Sequence, residues 1–447
     1  MSIIKTIIIC AAIATSVQCA SAETPRWLEA DSASAIAART RADFPYTVPE
    51  FLEIARERYP ELTARQLDSL ISHKYVETLM FDDTLRVFRK ALRNMALLNP
   101  DMNGGWTSRN FDVTDARIAN ADSVLQVLDG RSELGAANRV VYRFAIDVPY
   151  DDAIAGDTLR VWMPLPFESQ RQSNISIHSA APARYELSDG RSIHNTLYFE
   201  APAPGKGETA HFEYTASFDT KGQYFHPDSI RAHMRPYDRE SDFYRTYTST
   251  EAPHIVRLDS MARAIVGDET DPLRQSEMIY EYIDTHYPWA GAREYSTIPC
   301  IPTYVVEQGH GDCGQVSLLY ISLMRSLGVP ARWESGWMLH PGSKGYHDWA
   351  EVYFEGVGWV PVDTSFGRYP RAKDPRTVNF YSTGMDAYRF ATNHGVCGRL
   401  YPPKRHVRSE TVDFQAGEVE TSRGNLFYPA WDHTLQIISI TPIPLEK

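Results

Sequence analysis

Three residues of this chain have the types and spacing for covalent acyl chemistry: Cys313, His347 and Asp363. Cys313 lies in "GHGDCGQVSLLYISLMRSLGVPAR", residues 309–332. Asp312 is a helix N-cap type, and Val316, Leu319, Leu323 and Leu327 recur at helical spacing. Gly328 and Pro330 then stop the helix. This places the sulfur in the first turn, where unsatisfied N–H groups and the helix dipole favour negative charge. Such a position can bring a cysteine pKa from about 8.5 into a range of roughly 3.5–7.5, and the same N–H groups can hold an oxyanion. A thiolate also needs a proton acceptor. "YHDWAEVYFEGVGWVPVDTS" reads as a hairpin: His347 opens one strand, residues 355–358 turn, and the return strand ends at Asp363. The carboxylate is thereby set to hold one imidazole nitrogen and leave the other for the thiol. Singly, each residue reads as packing or strand edge; the combination is what points to chemistry.

The two stretches together resemble the core of the transglutaminase-like superfamily over roughly residues 255–370. Upstream, "LRVWMPLP" resembles the β-rich segment that precedes this core in bacterial exported members. The resemblance implies a papain-like fold, with a nucleophile helix on an antiparallel sheet. It implies Cys313 as nucleophile, His347 as base and Asp363 as orienting acid. Crosslinking members usually carry Trp directly after the cysteine, whereas hydrolase-like members tend to have Gly, as here at Gly314. The expected activity is therefore cysteine-dependent amide hydrolysis on a peptide or protein, through a thioester, with no metal and no other cofactor. Two alternatives stand beside it: protein-glutamine acyl transfer, in which an amine resolves the thioester, and a non-catalytic binding module that keeps the fold. The family also uses an upstream oxyanion donor, for which Trp289, Gln308 and Tyr287 are candidates. A metal site from His310, Cys313, His347 and Asp363 matches no short zinc spacing, and no EF-hand loop is present. Asp348 and Glu351 read as strand-surface residues, and His394 near Cys397 as a loop residue.

The elements around these residues give an α+β multidomain chain. Residues 1–22 read as a signal peptide: Lys5, the apolar "TIIICAAIAT" and a small-x-small site at residues 20–22. Residues 23–135 read as a helical region, in which Phe81, Leu85, Phe88 and Leu92 look like one buried helical stripe. From 136 to 245 the period becomes two, with Val140, Tyr142, Phe144 and Ile146 on one face, which suggests a β-sandwich. The catalytic core spans 246–370. Residues 371–447 form a C-terminal extension packed on the core, ending in a strand, "HTLQIISITPI".

Composition narrows the function classes. The chain has 447 residues, 43% of them hydrophobic, and a formal net charge of −12 without a Lys/Arg run, which excludes a phosphate-tracking nucleic-acid surface. No second long apolar run follows the leader, so no membrane span is expected, and export to the periplasm or medium is. Lipid attachment at Cys19 is the alternative, although Gln18 stands where a small residue belongs. Cleavage leaves Cys300, Cys313 and Cys397. Either Cys300 pairs with Cys397 and frees Cys313, or all three stay reduced. The oligomeric state is not legible.

Overall fold

The computed structural model describes residues 27–102, 113–128 and 134–444. Residues 1–22, read above as a signal peptide and carrying Cys10 and Cys19, lie outside them. No helix of the described residues is long and apolar enough to cross a membrane.

The centre is a four-stranded antiparallel sheet in the order Gly358–Val362, Ser343–Phe354, Ala331–His340, Arg389–Asn393. Helices Pro272–His286, Ile301–Gln308 and Cys313–Ser326 accompany it. Successive residues of a strand face opposite sides, and here both sides are packed. Trp333, Ala350, Val352, Val360 and Val362 share one core with Leu318, Leu319 and Leu323 of the Cys313 helix. Each fully buried Val or Leu of this set contributes about 1.5–3 kcal/mol. The other face carries His347, Trp349, Glu351 and Glu334, all buried. There Arg171 bonds Glu334 and Glu351, and Arg332 bonds Glu351 at 2.6 Å. Asp348 and Glu351, expected at the strand surface, are thus interior, because this sheet has no solvent face. Gly336 permits the close approach of the last strand: a Cβ there would lie 1.9 Å from the Phe390 carbonyl oxygen.

Two further sheets enclose a core built on Tyr142, Phe144, Phe199, Phe212 and Tyr214. Their longest strands are Leu134–Pro149 and Thr209–Tyr224. The C-terminal extension contributes to both sheets. Glu418–Glu420 pairs with Thr158–Pro164, and Asp432–Ile443 pairs with Leu134–Pro149, Leu435 opposite Phe144. After Arg389–Asn393 the chain therefore leaves the core sheet and ends in these two sheets.

The N-terminal segment has helices Ser32–Asp43, Val48–Arg58, Ala64–Ser72 and Ala91–Leu98. Thr47 with Glu50 and Thr63 with Gln66 form capping boxes. The expected helical stripe at 81–92 is instead a hairpin, Thr78–Phe81 with Thr84–Val87. Asp82 and Asp83 both take positive φ, the conformation of a tight two-residue hairpin turn, and Asp is among the residues that tolerate it. This segment clamps a loop of the core: Asn94 exchanges two hydrogen bonds with Gly291, Lys90 donates to the Ala292 carbonyl, and Asp43 accepts the Glu294 N–H.

Candidate active site

Cys313 is the first residue of its helix. Asp312 caps it, accepting the Gln315 N–H at 3.1 Å, while the Gln315 side chain accepts the Asp312 N–H at 3.1 Å. Tyr295 donates its hydroxyl to Asp312. Gly309, left-handed at φ +73°, ends the preceding helix and turns the chain into the Cys313 helix. A bridge between Trp289 and Gly311 fixes the entry from the other side. Gly314 has no room for a side chain: a Cβ would sit 2.3 Å from the Tyr295 hydroxyl and 2.7 Å from Asp348 Oδ2.

The sulfur opens onto a cleft of about 590 Å³. Its walls come from the N-terminal segment (Arg89, Lys90), the core (Trp289, Tyr295, Tyr346, Asp348) and the C-terminal extension (Glu410, Asp413, Trp431). Trp289, an oxyanion candidate, lines this cleft; Gln308 ends its helix and does not line it. Tyr287 caps the end of Pro272–His286 and also lies outside the lining.

His347 and Asp363 meet as the hairpin reading requires. His347 Nε2 lies 2.7 Å from Asp363 Oδ2, and Arg389 stands 3.0 Å from the same carboxylate. Burial opposes the charge of Asp363, but the imidazole and the guanidinium overcome it and hold the carboxyl well below its usual range. Burial lowers His347 to about 4, with Asp363 pulling the other way, so the ring is neutral at pH 7 and donates Nε2–H. Nδ1 is the nitrogen left to accept a proton.

The third residue is placed differently. Cys313 Sγ contacts Asp348 Oδ2 at 3.3 Å, not the imidazole. His347 and Asp348 are neighbours on one strand and face opposite sides of the sheet, so the His347–Asp363 pair and the Cys313–Asp348 pair lie on either side of it. Gln415 from the C-terminal extension locks the arrangement, donating to Asp348 Oδ1 at 2.6 Å and to the His347 carbonyl at 3.2 Å. Burial, with Asp348 and Asp312 beside it, pushes the Cys313 thiol well above its ordinary value. The lowered pKa expected from the helix N-terminus is therefore overridden: a dipole worth about half a charge faces two nearby carboxyls in a dry site. Asp348 is likewise raised, by burial and by Asp413 and Asp312.

Several neighbours of the sulfur escaped the sequence reading. From the sequence, Asp348 reads as a solvent-facing strand residue beside a histidine. Glu410, Asp413 and Gln415 sit in an extension with no chemical motif, and no local spacing links them to Cys313. His394 follows the Arg389–Asn393 strand and lines a separate pocket with Glu334 and Glu351. Cys300, Cys313 and Cys397 are free thiols, with no disulfide among the described residues. Cys300 contacts Thr303.

Comparison with known proteins agrees with this core. Residues 259–364 match the model of the transglutaminase-like superfamily. An uncharacterised protein of Haemophilus influenzae is 23% identical over 318 residues, covering 60% of this chain and 83% of that protein. The uncharacterised protein YebA of Bacillus subtilis is 24% identical over 174 residues, 34% of this chain and 23% of that protein. Among solved structures, a candidate cysteine protease from Cytophaga hutchinsonii aligns over 70% of this chain and 95% of its own, with 14% identity and a TM-score of 0.43. The matched span, residues 259–364, contains the Cys313 helix, the His347 strand and Asp363, and this part of the chain is a transglutaminase-like core.

Proposed function

We propose that this protein is an exported, cysteine-dependent amide hydrolase that acts on peptides or proteins, with Cys313 as nucleophile, His347 as base and Asp363 as its orienting acid. The observation that carries the reading is Cys313 at the first position of its helix, opening onto a cleft. His347 Nδ1 takes the thiol proton, and Asp363, held ionised by Arg389, stabilises the imidazolium that results. The thiolate attacks the amide carbonyl and the C–S bond forms. The oxyanion is received by the Cys313 N–H and a second donor, for which Trp289 on the cleft wall is the candidate. His347 returns the proton to the leaving amine as the C–N bond breaks, and water then resolves the thioester. Hydrolysis is favoured over crosslinking because the position after the nucleophile is Gly314, with no space for an aromatic side chain.

In this reading the Cys313–Asp348 contact is a resting state with a protonated thiol; sulfur and imidazole stand on opposite sides of the sheet in it, so turnover requires a rearrangement that brings the two together. A second reading rests on that same 3.3 Å contact: Asp348 takes the thiol proton itself. Peptide-library cleavage by C313A, H347A and D348N variants tests both. Loss of turnover in C313A and H347A, with D348N active, supports the triad. Loss in C313A and D348N, with H347A active, supports Asp348 as base. Cleavage by C313A at the wild-type rate overturns the enzyme reading.

A further inference from the structure

The cleft beside Cys313 is unusually acidic for a site whose nucleophile must become an anion. Asp348, Asp312, Glu410 and Asp413 all line it. Three of the four are hydrogen-bonded. Asp348 is held by Gln415 and the thiol, Asp312 by Tyr295 and Gln315, and Glu410 by the N–H groups of Gln415 and Ala416. Asp413 has no such partner from another residue. It is 9% exposed and lines the cleft, and its carboxylate is relieved only in part, by its own backbone N–H and by the charge of Arg408. Arg408 lowers Asp413 through its charge, but the guanidinium hydrogen-bonds the Asp413 backbone carbonyl rather than the carboxylate. Burial outweighs that charge and pushes Asp413 up to about 6. Thr411, on the same wall, has a buried hydroxyl oxygen with no hydrogen-bond partner among the described residues.

The basic groups of the cleft do not serve Asp413. Arg89 is paired with Asp43, Arg293 stands by Glu77, and Lys90 donates to the Ala292 carbonyl. The lining of the same cleft also includes Tyr346 and Trp431, and aromatic faces attract organic cations. The acidic side chains do not converge as a metal-ligand set among the described residues.

From this geometry we propose that Asp413 and Thr411 form a subsite for a cationic group of the substrate, an ammonium such as that of a basic side chain or a free amino terminus, close to the bond attacked by Cys313. The proposal rests on the Cys313 hydrolase reading for its meaning. Its physical content, binding of an organic ammonium at Asp413, is separable from that reading.

The test uses n-butylammonium chloride as the probe, on the wild-type protein and on C313A. The ammonium should raise the melting temperature of both by about 1–2 °C at saturating concentration, whereas n-butanol and equal ionic strength of sodium chloride should not. The rise should vanish in D413N and shrink in T411V. To place the ammonium near the sulfur, Cys313 labelling is read peptide by peptide with 2-aminoethyl and 2-sulfonatoethyl methanethiosulfonate. In each the thiolate displaces methanesulfinate and forms a mixed disulfide. Normalised to 2-mercaptoethanol, the cationic reagent should win by on the order of tenfold. D413N should erase most of that ratio, and the exposed-site control E240Q should leave it intact. A reactive Cys313 with no charge preference and no ammonium-induced stabilisation overturns the subsite and leaves the hydrolase reading standing. Ammonium binding that requires Asp413, in a protein whose Cys313 resists every reagent, does the reverse.

Discussion

Replacing Asp348 by Asn keeps the side-chain shape and its contact with Gln415 but removes a carboxyl from 3.3 Å beside the Cys313 sulfur. Two unit charges at that separation, with an effective dielectric near 20, repel by about 5 kcal/mol, equivalent to roughly 3–4 pKa units. Water entering the cleft screens part of this, and burial of the thiol is unchanged by the substitution. The expected fall in the apparent pKa of Cys313 is therefore about 2 units. The assay is the pH dependence of iodoacetamide labelling, with Cys313 read separately from Cys300 and Cys397 by mass spectrometry. The wild-type midpoint should lie above that of a free thiol, and the D348N midpoint clearly below the wild type. H347A should leave the resting midpoint nearly where it was, since the imidazole faces the other side of the sheet, yet it should abolish turnover. An unchanged or higher midpoint in D348N would refute the electrostatic argument.

Other outcomes follow from the same geometry. His347 has a folded pKa of about 4 against an unfolded value near 6.5, so the unfolded chain takes up this proton first and stability is lost as pH falls from about 6.5 to 4, by up to about 3 kcal/mol. Urea unfolding at both ends of that window should show a smaller pH dependence in H347Q. Asp413 runs the other way: its folded pKa of about 6 exceeds the unfolded 3.8, so its ionisation costs stability as pH rises through that interval. D413N should accordingly be more stable than wild type at pH 7, by up to about 3 kcal/mol, with no gain at pH 4. Gly314→Ala should destabilise by about 1–3 kcal/mol and, by displacing Asp348 Oδ2, raise Cys313 labelling at neutral pH; equal stability and equal labelling would contradict the packing described.

Much of the site was legible because its parts are local. A cap residue, an apolar stripe and a Gly–x–Pro stop define the Cys313 helix, and a short turn defines the hairpin that joins His347 to Asp363. What escaped was relational. Whether Asp348 meets solvent or sulfur depends on what covers its own face of the strand, and part of that covering comes from an extension more than 60 residues further on, at Gln415. The acidic wall of Glu410 and Asp413 arrives by the same route. The hairpin at 78–87 was hidden because Leu79, Phe81, Leu85 and Phe88 satisfy helical and strand spacing about equally well, and the decision fell to the Asp82–Asp83 turn. The lowered thiol pKa inferred from the helix N-terminus failed for a related reason: the dipole is a local property, whereas the opposing carboxyls are gathered by the fold.

The most direct test of the central claim is capture of the acyl-enzyme. A peptide library is incubated with the protein, quenched in acid within a turnover, and the Cys313 peptide is weighed. An acyl adduct on Cys313 is expected at short quench times and is lost when the quench follows exhaustion of the peptides, with no adduct and no cleavage in C313A. Cleavage without any adduct, persisting in C313A, would contradict it.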